Sequence, residues 1–324
     1  MESNYLSKRS KKAREHIERF IEGRRELYGD NCFTKEYLTE KIIKIFNALV
    51  TERKEGEKEH FGNDLEQRLK QYFPARTVGI GNAIYNYIFY ERMVNDNLDA
   101  FYNGLYTAQR IFFIGDRYGS RGRWAENIYS YIMIRFRSGL AVYDEQLVNA
   151  YVKQIPGPFT SGYPFYVSLA TGLYLIFESK LQEASSFLEK RLKLKSTSKY
   201  ERSILLAVKA IADKDKLSFV SEVNNSLKLY SRQSFYCNLA DDLSLEALSL
   251  YNLANRVWGE TPAEPESEYW DHEFYRYINN TNLKPKILPD FSKLSPLFEK
   301  WIKELPSETA ITDLDDDIKK HKSP

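Results

Sequence analysis

Residues 241–259 read D-D-L-S-L-E-A-L-S-L-Y-N-L-A-N-R-V-W-G. Wound at 3.6 residues per turn, their apolar side chains occupy most of the circumference rather than one stripe. Asp242 stands where an N-cap belongs, Glu246 falls in the first turn, Arg256 in the last, and Gly259 just past the end. A helix that is apolar on nearly every side has to sit at the centre of a bundle, with other helices around it.

The flanking text supplies them. Ser198-Lys-Tyr-Glu201 has the spacing of a capping box, and Ile204, Leu205, Val208 and Ile211 make the buried face of the helix it starts. The connector of residues 212–216 leads to Val220, Val223, Leu227 and Tyr230 on another helix. Upstream, Phe165, Leu169, Leu173, Ile176 and Phe177 form one apolar face, and Leu181, Ala184, Phe187, Leu188 and Leu192 the next. Pro164 stands at the favoured first helical position, after the turn of residues 155–164. Residues 5–28 place Ile17, Phe20, Ile21, Leu27 and Tyr28 on one stripe, closed by Gly29, and Thr34 caps a helix carrying Leu38, Ile42, Ile45, Phe46 and Leu49. From Gly81 two aromatic-rich helices are predicted, broken near residues 95–97, and residues 124–137 form a further one.

The fold class predicted is therefore all-α, a multi-helix bundle or irregular stacked helical hairpins. No fixed period with repeated signature residues is visible. Residues 1–305 read as a single helical domain, in which 1–62 could form a separate layer bounded by the charged stretch 51–63. Residues 306–324 hold few apolar side chains and read as a flexible tail. Eleven prolines and fifteen glycines in 324 residues leave little turn chemistry for many short strands, in agreement with helices.

The net charge of +2 gives no bulk attraction to nucleic acid, so partners have to be sought in local patches. Cys32 and Cys237 lie outside any C-x-x-C spacing and read as two small buried residues; no apolar run has signal-peptide or membrane-spanning length, and a cytoplasmic location without membrane contact is expected. His16, His60, His272 and His321 include no i, i+4 pair that could hold a metal. Ser161 lies in T-S-G rather than in a nucleophile elbow, and adjacent Asp241 and Asp242 read as caps. No catalytic residue, cofactor site or metal site is assigned, and the chain reads as a non-enzyme.

Two stretches read as partner-binding. G-D-R-Y-G-S-R-G-R-W, residues 115–124, lacks the Lys-Ser/Thr pair of a phosphate loop and reads as a glycine turn between helices. Its Arg117, Arg121 and Arg123 are candidates for an anion or carboxylate site, and with Trp124 they are candidate partner contacts. In E-S-E-Y-W-D-H-E-F-Y-R-Y, residues 266–277, acidic residues alternate with rings, and Tyr269, Trp270, Asp271 and Tyr275 are the candidate surface anchors. The basic run of residues 8–14 reads as a solvated helix face.

The text S-I-L-L-A-V-K-A-I-A-D-K-D-K-L-S-F-V-S-E-V-N-N-S-L, residues 203–227, followed by the helix of residues 243–254 and a glycine, carries a family resemblance. Ala207, Ala210, Asp215, Phe219, Leu227, Ala247, Leu248, Leu250, Leu253, Ala254 and Gly259 are its matching positions. They resemble the C-terminal part of helical immunity proteins encoded beside bacterial polymorphic toxins, the group numbered forty-nine among immunity families. The match covers about a fifth of the chain, and the aromatic first half has no counterpart in it. The resemblance implies a protein that binds one cognate toxin and covers or distorts its active site. The alternatives are a helical-repeat scaffold or regulator that binds a peptide or protein, and a nucleic-acid-binding protein, which the charge balance disfavours.

Overall fold

The computed structural model describes residues 4–50, 65–118, 139–154, 157–160, 162–193, 197–230, 242–280, 283–305 and 311–321. Among them every regular element is helical, as the apolar spacing predicts. The chain divides into two compact units: residues 1–6, 18–122 and 284–324 form unit 1, and residues 7–17 and 123–283 form unit 2. Residues 1–62 are thus not a layer of their own, because residues 18–50 belong to the same compact unit as 65–118.

In unit 1, α1 (Asn4–Ser7) and α2 (Lys11–Tyr28) replace the single helix expected over residues 5–28, and the division between the units falls inside both. Ser10 restarts the helix, its Oγ accepting from Ala13 N at 3.3 Å. Thr34 caps α3 (Lys35–Val50), with Tyr37 N donating to its Oγ1 at 3.2 Å, and Leu38, Ile42 and Phe46 are buried on that helix as their spacing requires. The aromatic-rich text forms α4 (Leu65–Met93) and α5 (Leu98–Tyr118), parted at residues 94–97, and Asn97 caps the second through Ala100 N at 3.0 Å.

These two helices touch through the residue pairs Gly81/Phe112, Ile88/Gly104 and Thr77/Gly115, whose reversed order makes them an antiparallel hairpin. A Cβ on Gly104 would meet Ile88 Cγ2 at 2.1 Å, and one on Gly115 would meet Thr77 Oγ1 at 1.8 Å. Only glycine allows so close an approach. Gly115 therefore packs one helix on another; it does not open a turn, and residues 115–118 belong to α5.

α13 (Pro296–Glu304) packs on α5, where buried Arg110 donates through Nη1 to the carbonyls of Ile302 and Lys303, each at 2.9 Å. A cation at the C-terminal carbonyls of a helix is favourably placed. The segment expected to be a flexible tail contains α14 (Ile311–His321), which buries Leu314 and Ile318 against α3, α4 and α13. Two apolar residues four apart are enough for a short amphipathic helix when its neighbours complete the core, and Asp317 ties it down by accepting from Ser295 Oγ at 2.6 Å.

Besides residues 7–17, the described part of unit 2 holds a 3₁₀ turn, Leu140–Val142, and α6 (Glu145–Gln154). It continues through α7 (Pro164–Phe177), α8 (Leu181–Leu192), α9 (Lys199–Asp213) and α10 (Lys216–Tyr230), each packed on the next. Pro164 opens α7, and the Ser198–Glu201 capping box opens α9 with both of its reciprocal bonds. α11 (Leu245–Trp258) has Ala247 to Ala254 buried without interruption, as a central helix must, and ends at Gly259 with φ +73°. Its N-cap is Ser244, not Asp242: the serine Oγ accepts from Ala247 N at 3.2 Å. α12 (His272–Asn280) completes the unit.

Candidate functional site

The residues expected to contact a partner fall on two separate stretches of the chain, each described by itself. Arg117 lies in the last turn of α5, and Arg121, Arg123 and Trp124 fall outside the described residues, as do residues 51–63 and 124–137, the linker and helix expected there. Trp270, Asp271 and Tyr275 are buried, and Tyr269 is partly exposed. Their rings face inward because α11 offers them aromatic partners: Trp270 lies 4.7 Å and Tyr275 5.9 Å from the Tyr251 ring, centroid to centroid. Asp271 caps α12 through Phe274 N at 3.0 Å. This stretch is core and cap, and alternation of acids with rings does not separate that from an exposed anchor.

The charges of unit 2 are gathered into paired clusters. Glu264 accepts from Trp270 Nε1 at 3.1 Å and Arg276 Nε at 3.1 Å, and His272 Nδ1 lies 2.7 Å from it. Burial pushes its carboxyl up, but these three bonds outweigh burial and the carboxyl sits below its ordinary value. Buried Asp242 faces His16 Nδ1 at 2.9 Å and Arg9 Nη2 at 3.8 Å. There desolvation wins over the His16 and Arg9 contacts, and the carboxyl is raised. Arg9, read from sequence as part of a solvated face, is buried.

Unit 1 holds a different arrangement. α2 ends at Tyr28; Gly29, at φ +88°, closes it with its N–H on Arg25 O at 2.8 Å, and a short turn to Thr34 returns the chain into α3. This hairpin sets Arg24 and Tyr28 against Tyr37 and Lys41, and Ala83, Asn86 and Tyr87 on one face of α4 close the far side. Together with Cys32, Phe33 and Leu38 they line a cleft open to solvent. Its walls are ordered by the Phe33 and Tyr90 rings, stacked at 4.4 Å, and by Arg25 Nη2 donating to the Tyr90 hydroxyl at 3.2 Å.

Two cations share this cleft. The Arg24 guanidinium lies 5.1 Å from the Phe20 ring centre and 5.5 Å from that of Tyr28; the Lys41 ammonium lies 5.7 Å from Tyr28 and 5.9 Å from Tyr37. Both are thus within cation–π range of the same tyrosine. Among the described residues no carboxylate pairs with either. Burial pushes the Lys41 amine below its ordinary value, and the Arg24 charge pushes it further. Burial raises the Cys32 thiol against the fields of Arg25 and Arg24, raises Tyr37, and, with Glu91 and Glu36, lifts Tyr87 to about 12.

Leu27 is 75% and the cleft residue Tyr28 48% exposed, so the stripe expected to bury them runs out of the core one turn before α2 ends. Cys32, expected to be buried, is partly exposed on the cleft wall; Cys237 is outside the described residues. The signal that could have found this site was present in the sequence. Arg24 has Phe20, Ile21, Leu27 and Tyr28 as its i±3 and i±4 neighbours, and Lys41 has Tyr37, Leu38, Lys44 and Ile45. Neither has an acid within helical reach, whereas exposed helix cations are commonly paired at that spacing.

No family model, curated protein or solved structure matches the chain. No described helix is long and apolar enough to cross a membrane.

Proposed function

We propose that the protein works by binding another protein without making or breaking a covalent bond, as an immunity protein does when it neutralises a cognate bacterial toxin inside the producing cell. The observation that carries this reading is the cleft of unit 1, where exposed Tyr28 stands beside Arg24 and Lys41, with exposed Leu27 next to it in the chain. Tyrosine and arginine are the residues on which interface energy concentrates. Their rings and planar heads cover large areas and lose little rotamer freedom on binding. The cation–π contacts hold both cations in place before a partner arrives, which lowers the ordering entropy of association. The family resemblance of residues 203–259 makes a toxin the partner of choice, and a cytoplasmic inhibitor with no cofactor is its natural form.

The test is protection. The chain is co-expressed with the product of the gene beside it, and survival is scored with and without induction of that product. Survival together with a stoichiometric complex on gel filtration is the expected outcome. Killing that proceeds at the same rate with and without the chain overturns the reading.

A further inference from the structure

We infer that the cleft between Arg24 and Lys41 is a carboxylate-binding site, built to receive an aspartate or glutamate side chain from an acidic segment of the partner protein. The inference rests on the protein-binding reading above and adds the chemistry of the contact.

The argument starts from charge. Two cations are held over one ring, Tyr28, and the groups whose fields act on Lys41 are Arg24 and the Cys32 thiol, with no carboxylate among them. The acids whose fields reach the cleft act on other lining residues, Asp30 on Cys32 and Glu36 and Glu91 on Tyr87, and none pairs with either cation. Glu91 is itself engaged by Asn95 and Asn97, at 2.7 and 2.8 Å. Half-buried like charges without a counterion raise the free energy of the empty site, and an incoming anion removes that penalty for both at once.

The choice of carboxylate over other anions follows from shape and from the rim. Arg24 offers a planar fork that matches a carboxylate in two parallel hydrogen bonds, and Lys41 adds a point charge beside it. Exposed Leu27 and Tyr28 give the flanking residues of a peptide an apolar surface to cover, which a free small anion would not use. Unit 2 shows the same chemistry already satisfied, with Glu264 seated between Trp270, His272 and Arg276.

Cys32 on the cleft wall is a built-in reporter of occupancy. The test measures its alkylation by iodoacetamide at mildly alkaline pH, resolved by peptide mass spectrometry so that Cys237 does not contribute. The probes are a hexaglutamate peptide and, as control, hexaglutamine. Hexaglutamate should slow Cys32 alkylation several-fold in the wild type and hexaglutamine should not. The effect should fade as salt is raised and vanish in R24Q/K41Q. Equal rates with the two peptides, or slowing that persists in R24Q/K41Q, overturns the proposal. Slowing by oligothymidylate that exceeds that by hexaglutamate overturns it in favour of nucleic acid. Should the double variant melt early, K41Q alone serves, with a partial loss of slowing expected and full retention counting against the site. The two readings fail separately. Protection from the toxin without slowing by hexaglutamate removes the carboxylate site and leaves the function; slowing without protection does the reverse.

Discussion

The two units handle charge in opposite ways. Unit 2 satisfies its inward-facing acids with partners from its own chain: Glu264 has three, and Asp242 has His16 and Arg9. Unit 1 also buries cations well when it uses them structurally, as Arg110 shows at the end of α13. At the cleft, however, Arg24 and Lys41 rest on tyrosine faces with no acid opposite. A paired charge has done its work once the chain is folded, whereas a half-buried cation without a carboxylate keeps interaction energy that a partner can use. That difference separates a structural cluster from a candidate site, and composition alone does not reveal it.

The sharpest way to test the comparison is to damage the packing of unit 2 where its charge network leans on it. Phe219 is fully buried between the rings of Tyr251 and Trp258, at 5.0 and 5.2 Å. Phe219→Ala should cost about 3–5 kcal/mol in chemical denaturation. The counterpart in unit 1 is Gly104→Ala, which forces a methyl into Ile88 and should cost about 1–3 kcal/mol by overpacking the α4–α5 hairpin. A loss for Gly104→Ala greater than for Phe219→Ala would show that the hairpin, and not the aromatic centre of unit 2, sets the stability of the chain.

Neutralising a paired acid should cost less. For Glu264→Gln a loss of about 1 kcal/mol or less is expected, because the cluster is partly open to solvent. The sign with pH follows from its lowered pKa: the stabilisation is present above the ordinary value of 4.5 and is lost as pH falls through the folded value. The Gln variant should therefore lose less stability on acidification than the wild type, measured by denaturant midpoints across that range.

The smallest effect belongs to the cleft. R24Q and K41Q should each change stability by no more than about 0.5 kcal/mol, while each weakens the response of Cys32 to hexaglutamate and the two together abolish it. Lys41 is depressed in the folded chain, so the wild type should gain stability as pH rises through that lowered value toward 10.5, and K41Q should lack the gain. A large destabilisation by either variant would make the cations structural and would erase the contrast between the units.

Much of the fold was legible because helix ends and helix faces are local properties. Thr34, Pro164, the Ser198–Glu201 box and Gly259 act through their own backbone neighbours, and the structure finds each at the end it marks. The all-round apolar text of α11 likewise predicted its central place. Asp242 failed as a cap because Ser244, two residues on, captures Ala247 N and leaves the carboxylate to His16 and Arg9, which are more than two hundred residues away in sequence. The tail was misjudged for the same kind of reason. Leu314 and Ile318 look too few to bury until the surfaces of α3, α4 and α13 are supplied.

The sequence by itself determined that the described chain is helical, where most helices begin and end, and which one is central. Those outcomes depend on interactions within a few residues and on the period of the apolar side chains. Only the tertiary structure decided which rings and charges face inward. Trp270 and Tyr275 sank into the core because Tyr251 was there to receive them, and Tyr28 stayed at the surface, where it meets Arg24 and Lys41. An aromatic or charged residue has the same local pattern in either setting, and its fate is set by what another helix brings against it.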